Sequence, residues 1–124
     1  MLTAVDHVQL AAPPGSVDTL RAYYVDILGM TEIPKPPALA VRGGCWFRAG
    51  AVQLHLGIEC DFRPAKKGHP GLRVTGIEAY AARLVARGAA VIWDDGLPGY
   101  RRFYSEDPVG NRLEFLEPAL SRQR

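Results

Sequence analysis

The stretch Asp107-Pro108-Val109-Gly110-Asn111-Arg112-Leu113-Glu114-Phe115-Leu116-Glu117 fixes the reading of this 124-residue chain. Asp-Pro opens a turn, because proline sets φ at the second turn position, and Gly-Asn closes it, because both residues tolerate positive φ. Residues 113–116 are then a short apolar strand with one carboxylate in it. Strand side chains alternate, so Glu114 faces away from Leu113 and Phe115. A carboxylate among strand apolars is costly unless something positive meets it. The expected partner is a metal ion or an arginine, with Arg73 and Arg112 the arginines at hand.

Working outward, the chain holds one plan twice. Residues 4–11 alternate as a strand, with Val8 and Leu10 on one face and His7 and Gln9 on the other. Pro13-Pro14-Gly15 ends it, Ser16 is placed to cap a helix, and Val17, Leu20, Tyr24, Ile27 and Leu28 make a helical stripe closed by Gly29. Residues 31–33, 39–41 and 45–48 are strand candidates, broken by Pro34, Pro36 and Pro37. Residues 52–56 form another strand, with Gln53 and His55 sharing a face. After a connector at 58–68, residues 69–74 read as a strand opening with His69. Thr75 and Glu78 have capping-box spacing, and Ile77, Tyr80, Ala81, Leu84 and Val85 make the second helical stripe, closed by Gly88. Strands at 90–93 and 101–104 lead to the opening turn and Glu114. The polar tail after Pro118 is expected to fray.

The separations from the first histidine to the helix-closing glycine are 22 and 19 residues in the two copies. A repeat places matched positions around a pseudo-twofold axis. If first and last strands lie together, His7, His69, Glu114 and one further donor converge. Two imidazoles and a carboxylate suit Zn, Mn, Fe or Ni better than Ca.

Composition excludes other classes. Apolar residues make up 48%, which gives a chain of this length a core, and the net charge of +2 with no basic stripe argues against nucleic acid. No apolar stretch is long enough to span a bilayer, and residues 1–6 lack the pattern of a signal peptide. Two cysteines, Cys45 and Cys60, make no disulfide framework, so a cytoplasmic setting is expected.

From His7 in DHVQL to Glu114 in DPVGNRLEF, the chain resembles the vicinal oxygen chelate superfamily. That group includes glyoxalase I, fosfomycin-resistance thiol transferases, extradiol dioxygenases and bleomycin-resistance proteins. The resemblance implies an α+β fold: one domain of two tandem βαβββ modules, about 1–57 and 69–118, forming a cupped mixed sheet around a metal. It carries His7, His69 and Glu114 across as metal ligands. For a fourth ligand it offers Gln53, matched when the strands are aligned on their aliphatics, or His55, the better ligand chemically and a candidate acid/base. It implies a metal-dependent enzyme acting on a small oxygen-bearing substrate as lyase, isomerase, thiol transferase or dioxygenase, with Glu114 and His55 moving protons. It also implies a homodimer, with the metal site inside one chain or shared between two. Tyr100, Arg101, Arg102 and Tyr104 are expected at the cup mouth, where arginine would hold an anionic substrate. The alternative is a non-catalytic drug-binding protein of the bleomycin-resistance type, with Trp46, Trp93, Phe103 and Tyr104 as stacking groups.

Overall fold

The computed structural model describes residues 1–120; the expectation for the tail falls mostly on 121–124, outside them. Strand β1 (Val8–Ala12) leads to helix α1 (Val17–Arg21), which continues with wider π-type winding through Ala22–Ile27. Then come β2 (Thr31–Ile33), a short helix α2 (Pro37–Ala40), β3 (Cys45–Ala49) and β4 (Val52–Ile58). The second half repeats the plan with β5 (Gly71–Arg73), α3 (Ile77–Ala86), β6 (Ile92–Asp94), β7 (Tyr100–Glu106) and β8 (Arg112–Pro118). Two open four-stranded mixed sheets result, ordered β1-β4-β3-β2 and β5-β8-β7-β6. In each, the first strand runs parallel to the last, which places the matched first and last strands side by side.

Each sheet buries one face. Leu54, Leu56 and Phe47 in the first and Phe103, Leu113 and Phe115 in the second are buried with Leu20, Tyr24 and Leu84 from the helices in a single apolar cluster. The other face of each sheet carries the polar residues, and there the site is built. No helix of the described residues is long and apolar enough to cross a membrane.

Buried polar contacts tie the halves together. The Tyr24 hydroxyl donates to Asp107 Oδ2 at 2.7 Å, and Tyr23 and Ser105 share a hydrogen bond of 3.0 Å. Asn111 Nδ2 donates to the Ala11 carbonyl of β1, while Asn111 Oδ1 accepts from the Ala65 N–H, each at 2.9 Å. The last carbonyls of the first helix, which lack partners within it, accept from Arg83 Nε at Ile27 O (2.7 Å) and Arg87 Nη1 at Asp26 O (3.0 Å).

Four local expectations are corrected. Residues 39–41 are not a strand: Pro37 opens α2, where its preset φ and absent N–H cost nothing. The strands expected from 69 and from 90 begin at Gly71 and Ile92, which leaves His69 just ahead of β5. The Ser16 side chain turns back to donate to Pro13 O at 2.6 Å and caps nothing. Nor do Thr75 and Glu78 form a capping box. Gly76, in the left-handed region at φ 67°, takes the cap position, and the Glu117 carboxylate accepts from the N–H groups of Gly76 (2.9 Å) and Ile77 (3.0 Å). Glu78 instead pairs with Arg101.

The N–H groups of Ile77 and Gly76 hold the Glu117 carboxyl below its ordinary value. A carboxyl depressed in the folded state stabilises fully above its unfolded range and loses that contribution as pH falls through the folded value. Glu117→Gln is therefore expected to lower the melting temperature at neutral pH, with the gap to wild type closing in acid. Thermal unfolding at a series of pH values checks this; a gap that stays constant with pH contradicts it.

Candidate functional site

On the polar face of the second sheet, His69 Nε2 lies 3.0 Å from Glu114 Oε1. The other carboxylate oxygen, Oε2, accepts from Arg102 Nη1 at 3.1 Å. Arg102 also donates from Nε and Nη2 to Asp94 Oδ1, at 3.1 and 2.9 Å. The partner of the strand carboxylate is thus Arg102 together with His69, not Arg73 or Arg112. The N–H of Gly96, followed by Arg102, holds the Asp94 carboxyl below its usual range. Tyr104 stands beside the pair, with His69 against its ring edge at 5.5 Å and the guanidinium carbons of Arg102 and Arg112 at 5.3 and 5.5 Å from its centre. His69 and Glu114 are nearly buried, with side chains 14% and 13% exposed.

The first sheet offers a matching face. The His55 ring is sandwiched between His7, at 4.1 Å, and Trp46, at 4.0 Å, all three nearly parallel. His55 Nε2 is 3.2 Å from Gln53 Oε1, so His55 donates to the amide oxygen. Burial, then the neighbouring charge of His7, lowers the His55 pKa from its ordinary value; the Lys35 charge adds to this and Asp6 opposes it.

The strand ladders relate the two faces. Gly71, two residues past His69, pairs with Glu114 across β5 and β8. Gln9, two residues past His7, pairs with His55 across β1 and β4. The counterpart of Glu114 in the first module is therefore His55, and Gln53 stands behind it as a hydrogen-bond acceptor.

The residues fit a metal in their outer contacts too. His69 Nδ1 hydrogen-bonds the Lys66 carbonyl at 2.9 Å, and His7 Nδ1 hydrogen-bonds Asp6 Oδ1 at 2.9 Å. Metal-binding histidines characteristically donate one ring N–H to such an oxygen and ligate through the other nitrogen. With Nδ1–H of His69 so engaged, its Nε2 faces a carboxylate oxygen, an arrangement that calls for a second proton or a cation between them. What the single chain does not do is gather all the donors. His69 reaches a cavity of about 460 Å³ that Gln9 of β1 also lines, yet among the described residues no group of three or more His, Cys, Asp or Glu side chains is placed to hold a metal. Within this chain the donors stand as two separate pairs, His7 with His55 and His69 with Glu114, because first and last strands meet within each sheet and not between sheets.

Three expected contact residues lie elsewhere. Phe103 is fully buried in the core and packs against Trp93, its neighbour across β6 and β7. Both are on the face opposite Arg102 and Tyr104. Arg101 is on that opposite face as well, 4.6 Å over the Trp93 ring. Of the expected substrate contacts, Arg102 and Tyr104 lie beside Glu114, and Trp46 lies beside His55. Asp94 and Gln9 were not anticipated: nothing in the local pattern of Asp94-Asp95-Gly96 distinguishes an arginine anchor from a turn.

No protein-family model matches the sequence, and no curated protein matches it. Solved structures do. A protein from Bacillus anthracis described as of the glyoxalase family is 45% identical, with 96% of this chain and 98% of that one covered and a TM-score of 0.94. A variant of the fosfomycin resistance protein FosX from Listeria monocytogenes, solved with Mn(II) and 1S,2S-dihydroxypropylphosphonic acid, shares the fold at 16% identity (TM-score 0.76; 97% and 95% covered). TnmS3, an antibiotic-binding protein from Streptomyces, does so at 24% identity (TM-score 0.73; 95% and 100% covered). With its duplicated βαβββ plan and a relative 45% identical over nearly the whole length, the chain belongs to the glyoxalase family of the vicinal oxygen chelate superfamily.

Proposed function

We propose that the protein is a metal-dependent enzyme of the glyoxalase, fosfomycin-resistance and dioxygenase type. It works as a homodimer in which His7 and His55 of one chain and His69 and Glu114 of the other hold one divalent ion. Each chain acts as one domain of two modules, 1–57 and 69–118. The observation that carries this reading is the common register: each sheet sets an imidazole and a second donor at the same offset on its polar face. A set of three imidazoles and a carboxylate suits Zn, Fe, Ni or Mn. A divalent ion bound there supplies Lewis acidity to the chelating oxygens of a small substrate. Arg102 keeps Oε2 of Glu114 occupied, leaving Oε1 to face His69. With its Nε2–H donated to Gln53 and its ring fixed between His7 and Trp46, His55 is left with Nδ1 to hold the ion. Arg102 and Tyr104 border the substrate on the second sheet, and Trp46 on the first.

The test is the protein purified without added metal. Gel filtration at about 27 kDa, twice the 13.6 kDa chain, with one ion per chain by elemental analysis is expected. A metal-free monomer with no micromolar affinity for Zn, Mn, Fe or Ni contradicts the reading.

A second reading is favoured by the His7, His55 and Trp46 stack, which forms a flat wall suited to an aromatic drug in a non-catalytic binder. Tryptophan fluorescence against planar drugs separates the two: binding indifferent to chelator supports the binder, and binding lost with the metal supports the enzyme.

A further inference from the structure

A cavity of about 280 Å³ opens beside the aromatic stack, lined by Gln9, Lys35, Leu39, Arg42, Trp46 and Gly57 among others. Its lining holds two cations and no carboxylate. Lys35 and Arg42 flank α2, and the Lys35 ammonium donates to the Gly43 carbonyl, joining the two flanks of that helix. Arg42 is exposed. The floor is shaped by a glycine. A Cβ at Gly57 would stand 2.7 Å from Gln9 Nε2, so the absence of a side chain there lets the Gln9 amide lie across β4.

The cavity adjoins the proposed donors. Trp46 lines it and also stacks on His55 at 4.0 Å, and Gln9 is paired with His55 across the ladder. A space of this volume admits a body the size of a benzene ring with a substituent, since a 150 Å³ cavity is known to hold benzene alone. Guanidinium and ammonium groups beside the Gln9 amide and the Trp46 ring select an anionic oxyacid on a small flat body.

We propose that this cavity is an anion-binding subsite that takes the carboxylate or phosphonate end of a small organic substrate. Arg42 and Lys35 hold the charge, Gln9 donates an amide hydrogen bond, and Trp46 supports the apolar body. The placement of the other end, at His7 and His55, rests on the metal-enzyme reading above; the binding of the anion does not.

The experiment uses Trp93→Phe protein, in which Trp46 is the only tryptophan, with chelator present throughout. Benzoate and phenylphosphonate are titrated against Trp46 emission, with benzamide as the neutral counterpart. We expect saturable binding of at least one anion, weakened by salt and at least about tenfold tighter than benzamide. Arg42→Gln is expected to weaken it at least about tenfold, and Lys35→Gln/Arg42→Gln to abolish it with the circular dichroism spectrum unchanged. A preference for phenylphosphonate assigns a phosphonate-type end, and a preference for benzoate a carboxylate. Benzamide binding as tightly as the anions overturns the proposal, as does anion binding unaltered in the double variant. Anion binding by a protein that takes up no metal leaves this subsite standing and removes the metal reading; metal uptake without anion binding does the reverse.

Discussion

Replacing Asn111 with alanine is expected to cost about 3 kcal/mol of unfolding free energy and about 10 °C in melting temperature. Asn111 is 1% exposed, and its side chain joins three parts of the chain. Nδ2 donates to the Ala11 carbonyl of β1 and to Asp107 Oδ2, at 2.9 and 3.1 Å, and Oδ1 accepts from the Ala65 N–H of the connector at 2.9 Å. Alanine removes the side-chain amide and leaves the groups it served. Each buried polar group so stranded costs about 1–3 kcal/mol, less where water can enter. Asp107 is also buried, and it accepts from Tyr24 and from the N–H groups of Val109 and Asn111, so Asn111→Ala also weakens the carboxylate that fixes the turn. Against a total of about 5–15 kcal/mol for a domain, this is a large fraction. Urea unfolding with an unchanged slope but a lower midpoint checks it; a loss under about 1 kcal/mol shows that the tie is not important to the fold.

The second large effect separates the two candidate donors on β4. Glu114→Ala and His55→Ala are each expected to weaken metal binding at least about 100-fold, the upper end of what removing even an outer partner costs. Gln53→Ala, which removes only the acceptor behind His55, is expected to cost less, about tenfold. Isothermal titration with Zn or Mn on the three variants decides it. Equal losses in Glu114→Ala and Gln53→Ala, with His55→Ala unaffected, would return the ligand role to Gln53.

The reason for that uncertainty lies in the chain itself. Alternation puts Gln53 and His55 on the same face, so no local pattern distinguishes them. Only the β1–β4 ladder, pairing residues 46 positions apart, sets which one stands opposite Gln9. The duplicated strand–helix–strand plan was legible because apolar alternation and helix-closing glycines are local signals. So was the odd position of Glu114 in its strand. Its arginine was not: Arg102 reaches it from β7, where Arg73 and Arg112 were the arginines expected. The α3 cap fell to the same cause, since a carboxylate 40 residues away at Glu117 displaced a well-spaced Thr75–Glu78 pair. By contrast, the burial of Phe103 and the placement of Trp93 on the same face follow from alternation along β7 and its pairing to β6. Phe103 and Tyr104 are consecutive, so they cannot both face the cup.

The central claim is that two half-sites on different chains make one metal centre. Mixing two broken chains tests it most directly. One carries His7→Ala and His55→Ala, the other His69→Ala and Glu114→Ala, and each alone is expected to form a dimer without an intact site. If the site is shared, a heterodimer reassembled from the two regains one complete donor set, so the account predicts one tightly bound ion per heterodimer. A heterodimer that binds no metal, beside wild-type protein that does, would place the whole site within a single chain and contradict the account.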